Sequence, residues 1–172
     1  MAVALALVLA TPVTVPAQAA NEYEVKAAFL FNFTRFVDWP PSSGSGPFCI
    51  GIEGADPFGR ALDEAVRGRS AAGRAIAIKR FKPGEEPAAC EMIFVSATDP
   101  RKMSAILARL KGAPVLTVGN APGFCANGGA IGFAVQGNKV TLEINPEAAQ
   151  RARLQISSKL LSLATLVRDT GE

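Results

Sequence analysis

Histidine is missing altogether from these 172 residues. Its absence removes the Ser-His-Asp triad, the Cys-His pair and every histidine metal site. Cysteine is scarce: three residues are too few for a zinc cluster, and an odd number leaves at least one without a partner in the chain. Charge is thin as well. Eighteen Lys and Arg against fifteen Asp and Glu give +3, too weak an excess to point to nucleic acid as a partner. The carboxylates are scattered along the chain, and Asp56 and Asp99 each precede a proline, where they read as caps or turns. The chain therefore offers no catalytic constellation, no metal ligands and no cofactor motif, and it is not expected to be an enzyme. The 49% apolar and 19% charged residues are those of a globular chain of one-domain length.

What is present begins with an address. Ala2 to Ala10 is an unbroken apolar run, followed by Thr11-Pro12 and then the small residues Ala17-Gln18-Ala19. This layout predicts a cleavable secretory signal over 1–19, too short for a span of about 20 residues, with the folded domain over 20–172. No Lys or Arg precedes the run, which predicts a start codon further upstream. Cleavage after Ala19 leaves 153 of the 172 residues. Export places the cysteines in an oxidising compartment where a pair is expected to bond, and a signal this short points to the bacterial periplasm.

Along the mature chain, Val25, Ala28, Phe29, Phe33 and Phe36 recur at helical intervals and predict a helix over Asn21 to Trp39. Pro40-Pro41 stops it, and a Gly/Ser loop follows. Phe48 to Glu53, Ala75 to Phe81, Glu91 to Ser96 and Pro114 to Val118 read as strands. Between them, Asp56-Pro57 and Asp99-Pro100 predict helix starts, the second followed by Met103, Ile106, Leu107 and Leu110 at i, i+3, i+4 and i+7. Ala130 to Val135 and Lys139 to Ile144 flank Gly137-Asn138, a hairpin signal. Asn145-Pro146 opens another helix, and Ser157 or Ser158 a last one carrying Leu160, Leu163, Ala164 and Val167. Strands alternating with helices predict an α/β fold: one three-layer domain, a mostly parallel sheet with helices on both faces and a C-terminal antiparallel hairpin.

Several of these segments carry a resemblance. Lys26-Ala27-Ala28-Phe29-Leu30-Phe31-Asn32-Phe33 with Phe36-Val37-Asp38-Trp39-Pro40 resembles the opening of the YfiR family of periplasmic proteins. Asp56-Pro57-Phe58-Gly59, Pro114 to Val118, Gly129 to Phe133 and Ile156 to Leu161 match in the same order, so that the likeness spans about Tyr23 to Arg168. The resemblance implies a regulator, not an enzyme. Such proteins act in the periplasm, and the best-known kind represses an inner-membrane diguanylate cyclase by binding its sensor region. A peptidoglycan-associated outer-membrane lipoprotein sequesters that repressor, cyclic-di-GMP rises and biofilm formation follows. Homodimerisation is also implied. The alternative is a periplasmic small-molecule-binding module that reports to a transporter or sensor kinase.

Cys49 opens the first strand and Cys90 precedes the third, at the same edge of a parallel sheet, while Cys125 sits beyond the fourth strand at the opposite edge. A Cys49–Cys90 disulfide is expected, with Cys125 left as a free thiol; the resemblance agrees with that pairing. It also implies that some relatives carry a second, short-range bridge near Cys125, for which this chain lacks the other cysteine. Six of the twelve aromatics lie between Tyr23 and Trp39. Leu30 and Phe31 widen the helical stripe; they read either as core packing or as part of a dimer or partner surface, because their side faces away from the first stripe. Glu143, late in the last strand, and Arg153, on the helix after it, are the charged candidates for the same role. The turn at Gly51 to Gly59 reads as structural, because Asp56 at the cap would repel a phosphate. The loop Gly119 to Gly129 lies where open sheets bind small molecules.

Overall fold

Short apolar runs punctuated by Asp-Pro and Asn-Pro give this chain its order. A computed structural model describes residues 17–41, 46–82, 85, 87–137 and 139–170. Helix α1 (Ala17–Phe36) leads into β1 (Val37–Asp38) and, after the loop, β2 (Phe48–Glu53). There follow α2 (Arg60–Val66), β3 (Ser70–Ala71), β4 (Arg74–Phe81), a 3-10 turn at Pro87–Ala89, β5 (Met92–Val95) and α3 (Pro100–Leu110). The chain finishes with β6 (Leu116–Gly119), β7 (Ile131–Gln136), β8 (Lys139–Ile144), α4 (Pro146–Arg151), β9 (Gln155–Ile156), α5 (Ser158–Leu161) and β10 (Ala164–Leu166).

Eight strands form one sheet in the order β10-β8-β7-β6-β5-β2-β4-β3. Strands β4, β2, β5, β6 and β7 run parallel, with β8 turned against β7 and β3 against β4. The hairpin pairs Gln136 with Lys139, and Gly137 takes φ 60° in its turn; Asn138 lies outside the described residues. Strand alternation sends side chains to both faces. Phe48, Ile50, Ile52, Met92 and Phe94 pack with α1, α2, α4 and α5. Ile93 and Val95 point the other way, against Met103, Ile106, Leu107 and Leu110 of α3. The expected three-layer α/β domain, mostly parallel with an antiparallel C-terminal portion, is what the chain forms.

The capping signals are obeyed at α3, α4 and α5. Asp99 Oδ1 accepts from Lys102 N at 2.9 Å, Asn145 Oδ1 from Ala148 N at 3.0 Å and Ser157 Oγ from Leu160 N at 3.4 Å. Three expectations fail. Asp56-Pro57 does not start a helix: Asp56 Oδ1 accepts from Phe58 N at 2.7 Å in a local turn, and α2 begins three residues beyond Pro57, at Arg60. The last helix ends at Leu161, and the chain becomes β10, whose Ala164, Thr165 and Leu166 pair with Leu142, Glu143 and Ile144.

The third correction concerns α1, whose buried side is not the predicted stripe. Val25 is 40% exposed and Ala28 is exposed, whereas Lys26, Ala27, Leu30, Phe31, Phe33 and Thr34 turn inward. The shift is possible because Lys26 goes in as a hydrocarbon stem. It is 2% exposed, with its ammonium 2.5 Å from Glu22 Oε1 and 4.7 Å from the Tyr23 ring centroid. The helix also stops at Phe36, because Val37 and Asp38 pair with Ile156 and Gln155.

Candidate functional site

The amino end of the sheet is clamped around one acid. Glu91 Oε2 accepts from Cys49 N at 2.8 Å, its Oε1 meets Arg74 Nη2 at 2.5 Å, and its carbonyl accepts from Trp39 Nε1 at 2.9 Å. The Trp39 ring stands edge-on to Phe48, 5.1 Å between centroids, and the Arg74 guanidinium lies 5.4 Å from the Phe48 ring. Beside this cluster Cys49 and Cys90 are joined in a disulfide, with Cα atoms 4.6 Å apart. Adjacent parallel strands make that approach natural, since β2 and β5 begin at the same edge. The tryptophan and the bridge therefore tie the end of the first helix and the starts of β2 and β5 into one unit.

Cys125 lies at the far side of the sheet. Its thiol is fully buried, 3.4 Å from the carbonyl oxygen of Glu143, and burial, with the Glu143 charge second, pushes its pKa up to about 12. The loop around it is plugged by its own side chains. Phe124 is buried between Gly119 and Gly129, where an added Cβ would stand 2.5 Å and 2.2 Å from its ring. The tail straps over this loop: Thr170 N donates to Ala126 O at 3.0 Å, and Asp169 pairs with Arg151 at 2.7 Å and accepts from Asn145 Nδ2. A shallow groove of about 300 Å³ remains beside it, between Leu107, Thr117, Asn127 and Arg151. The glycine loop itself is thus filled at its centre.

The expected partner residues fall in different places. Leu30 is fully buried and Phe31 is 9% exposed beneath the Arg69 guanidinium, 4.4 Å from the ring centroid. They pack in the core under α2 and offer no open surface, which corrects their assignment to a free face. Glu143 is half-buried beside Cys125 and Gly132. Arg153 is exposed and sits at φ 59°, the left-handed residue that ends α4, with Leu154 N reaching back to Ala149 O at 2.9 Å. Among the described residues no hydrogen bond or ion pair joins Glu143 to Arg153.

Two features escape a linear reading. The first is apolar surface at the edge strand: Leu163, just before β10, is 75% exposed and Leu166, at its end, 59%. The second is a cavity of about 780 Å³ at the carboxyl ends of β2 and β5, beneath α3. Glu53 is set in its wall, 8% exposed, with Oε1 accepting from Arg109 Nη2 at 3.1 Å. Nearby, Arg80 bridges Asp56 at 2.7 Å and Asp63 at 2.6 Å, and these two carboxylates, Asp63 foremost, raise its pKa.

A family model described as YfiR/HmsC-like matches residues 23–165. The chain belongs to this family. YfiR/HmsC-like proteins are, as a family, periplasmic regulators of cyclic-di-GMP signalling, and the chain spans about 60% of the length of the solved structures it matches. No curated protein matches it. Among solved structures, a conserved domain protein from Vibrio cholerae O1 biovar eltor aligns with TM-score 0.58 and 12% identity, over 84% of this chain and 59% of that one. The ABC domain in complex with L-Trp from Streptococcus pneumonia aligns with TM-score 0.49 and 13% identity, over 87% of this chain and 60% of that one. The likeness to the Vibrio protein concerns the fold alone. Among the described residues no helix is long and apolar enough to cross a membrane. None of their Cys, Asp and Glu side chains cluster in threes that would hold a metal ion.

Proposed function

We propose that residues 1–19 are removed on export and that the domain over 20–172 represses a diguanylate cyclase of the inner membrane by binding its periplasmic sensor region. Cyclic-di-GMP, and with it biofilm formation, is then held down until the repressor is withdrawn, for instance by a peptidoglycan-associated outer-membrane lipoprotein. The observation that carries this reading is the family match over residues 23–165. The Cys49–Cys90 bridge fits an exported chain.

The surface best suited to the contact is the β10 edge. Among the described residues β10 pairs on one side only, with β8; Leu166 at its end and Leu163 just before it are exposed. Glu143 pairs in register with Thr165 on this edge. Arg153 adds an exposed charge from a left-handed position that most side chains avoid by about 1–2 kcal/mol. A second copy of the chain competes for the same edge if the protein dimerises.

Deleting the gene is expected to raise cyclic-di-GMP. The wild-type gene restores the low level, and the Leu163→Asp/Leu166→Asp variant, folded by circular dichroism, does not. An unchanged nucleotide level on deletion overturns the proposal. A second reading, a ligand-binding module reporting to a transporter or sensor kinase, is favoured by the cavity at Glu53.

A further inference from the structure

We infer that the open edge of β4, at the opposite end of the sheet from β10, is a docking strand for an extended segment of another protein in which apolar and acidic residues alternate. The inference does not rest on the cyclase reading. Strand β4 runs over Arg74–Phe81, but β3 covers only its start, pairing Ala71 with Arg74 and Ser70 with Ala75. Among the described residues no strand pairs with the outer side of β4 from Ile76 to Phe81. At the rise of a strand this leaves about 20 Å of free edge, a ready template for a further strand.

The backbone is turned the right way. Ala72-Gly73, both at positive φ, make the two-residue turn between β3 and β4. The residues flanking such a turn exchange both of their hydrogen bonds, so Arg74 aims its N–H and C=O at β3. Alternation sends the N–H and C=O of Ile78 and Arg80 to the same side, beyond the reach of β3, while those of Ala77 and Lys79 serve β2. An added strand antiparallel to β4 lies end to end with β3. Its carboxyl end then arrives at Ser70, beside the turn Arg67-Gly68-Arg69.

The side chains along this edge select the occupant. On the face that carries α1 and α2, a groove of about 580 Å³ follows the strand, floored by Val66, Ile76 and Ile78. The exposed Arg67 and Arg69 stand at its end. On the other face Lys79 is exposed, 4.5 Å from the ring centroid of Phe81. The acids in reach are already engaged: Asp56 and Asp63 by Arg80, and Glu64 by Arg60. Among the described residues Arg67, Arg69 and Lys79 enter no ion pair. Alternate apolar residues of the segment therefore fill the groove, the intervening acids meet Lys79, and an acid at the carboxyl end meets Arg67 and Arg69. A second copy of the same edge is disfavoured, because pairing Ile76 to Phe81 with itself crowds Lys79 and Arg80 of both copies.

The test is titration of the mature protein with three blocked hexapeptides, read by amide chemical shifts and hydrogen exchange. One alternates valine with glutamate, one alternates valine with lysine, and one has three valines followed by three glutamates. The alternating acidic peptide is expected to give saturable shifts at residues 67–70 and 75–81, and to slow exchange at the amides of Ile78 and Arg80. The lysine peptide leaves them unmoved, and the block peptide binds about tenfold more weakly or worse. Ile78→Pro removes an outward donor and abolishes binding. Arg67→Glu/Lys79→Glu, at two exposed positions, weakens the acidic peptide about tenfold or more and admits the lysine peptide, and serves if Ile78→Pro does not fold. No saturable shift up to about 10 mM, equal binding of the lysine peptide, or shifts that grow with protein concentration alone, the mark of a second copy on this edge, overturn the proposal.

Discussion

Raising the pH should weaken this protein through Cys125, and by an amount the structure sets. The thiol is enclosed by Phe124, Gly132 and the β8 backbone, with the Glu143 charge nearby. Deprotonation in place would bury an anion next to another, so the pKa rises from 9.0 to about 12. In the unfolded chain the thiol ionises near its ordinary value. The sign follows: below pH 9 neither state is ionised and there is no effect. Between about 9 and 12 the unfolded state alone releases the proton, so stability falls with pH. Each unit of difference is worth about 1.4 kcal/mol, which makes the loss about 2 kcal/mol at pH 10.5 and about 4 kcal/mol at its limit. Tyr23, whose pKa burial raises from 10.0, also ionises at alkaline pH, so the wild type must be compared with Cys125→Ala. Urea unfolding of both proteins at pH 7.5 and pH 10.5 gives the difference of differences. The variant loses a small buried side chain, costing about 1 kcal/mol at both pH values, but lacks the extra alkaline loss. Parallel pH profiles for the two proteins would refute the burial argument.

The other predictions concern the clamp and the core. Reducing the Cys49–Cys90 bridge, whose partners are 41 residues apart, should lower stability by about 4 kcal/mol in the chain-entropy view. Non-reducing mass spectrometry should recover that one cross-link, with Cys125 alkylated only after denaturation, and a Cys125-containing bridge would contradict it. Glu91→Ala should cost about 2–3 kcal/mol, because Cys49 N and Arg74 lose a charged partner together, and the emission of Trp39 should shift red as the edge loosens. Lys26→Met should alter stability by less than about 1 kcal/mol, since the hydrocarbon stem is kept and no charge is left buried. Glu22→Ala should cost more, about 1–3 kcal/mol, by stranding the Lys26 ammonium, and thermal melts that rank the two the other way would reject the pairing.

The uneven legibility of the sequence follows from which forces are local. The α3 helix was readable because a cap at Asp99 and apolar residues at Met103, Ile106, Leu107 and Leu110 act within a few residues of one another. The same is true of the parallel strands and the hairpin, whose alternation and turn are local facts. The register of α1 was not readable, because it depends on Lys26 turning inward, with its ammonium 5.7 Å from the ring centroid of Phe133, more than a hundred residues away in the chain. Once Lys26 turns in, Leu30, Phe31 and Phe33 follow it by helical geometry, and the residues expected at a surface become core. The C-terminal strand was hidden for a related reason. Leu160, Leu163 and Val167 have helical spacing, yet the free side of β8 offers Leu142 to Ile144 as a ladder, and the chain takes the ladder. That exchange converts an expected buried stripe into the exposed Leu163 and Leu166 on which the proposed contact depends. Glu53 is the intermediate case. Alternation in Phe48 to Glu53 puts it opposite Ile50 and Ile52, but a lone acid at a strand end reads as solvated. Only the path of the chain, which sends β4 and β5 to opposite sides of β2, encloses that acid against Arg109 and closes its second oxygen off from solvent.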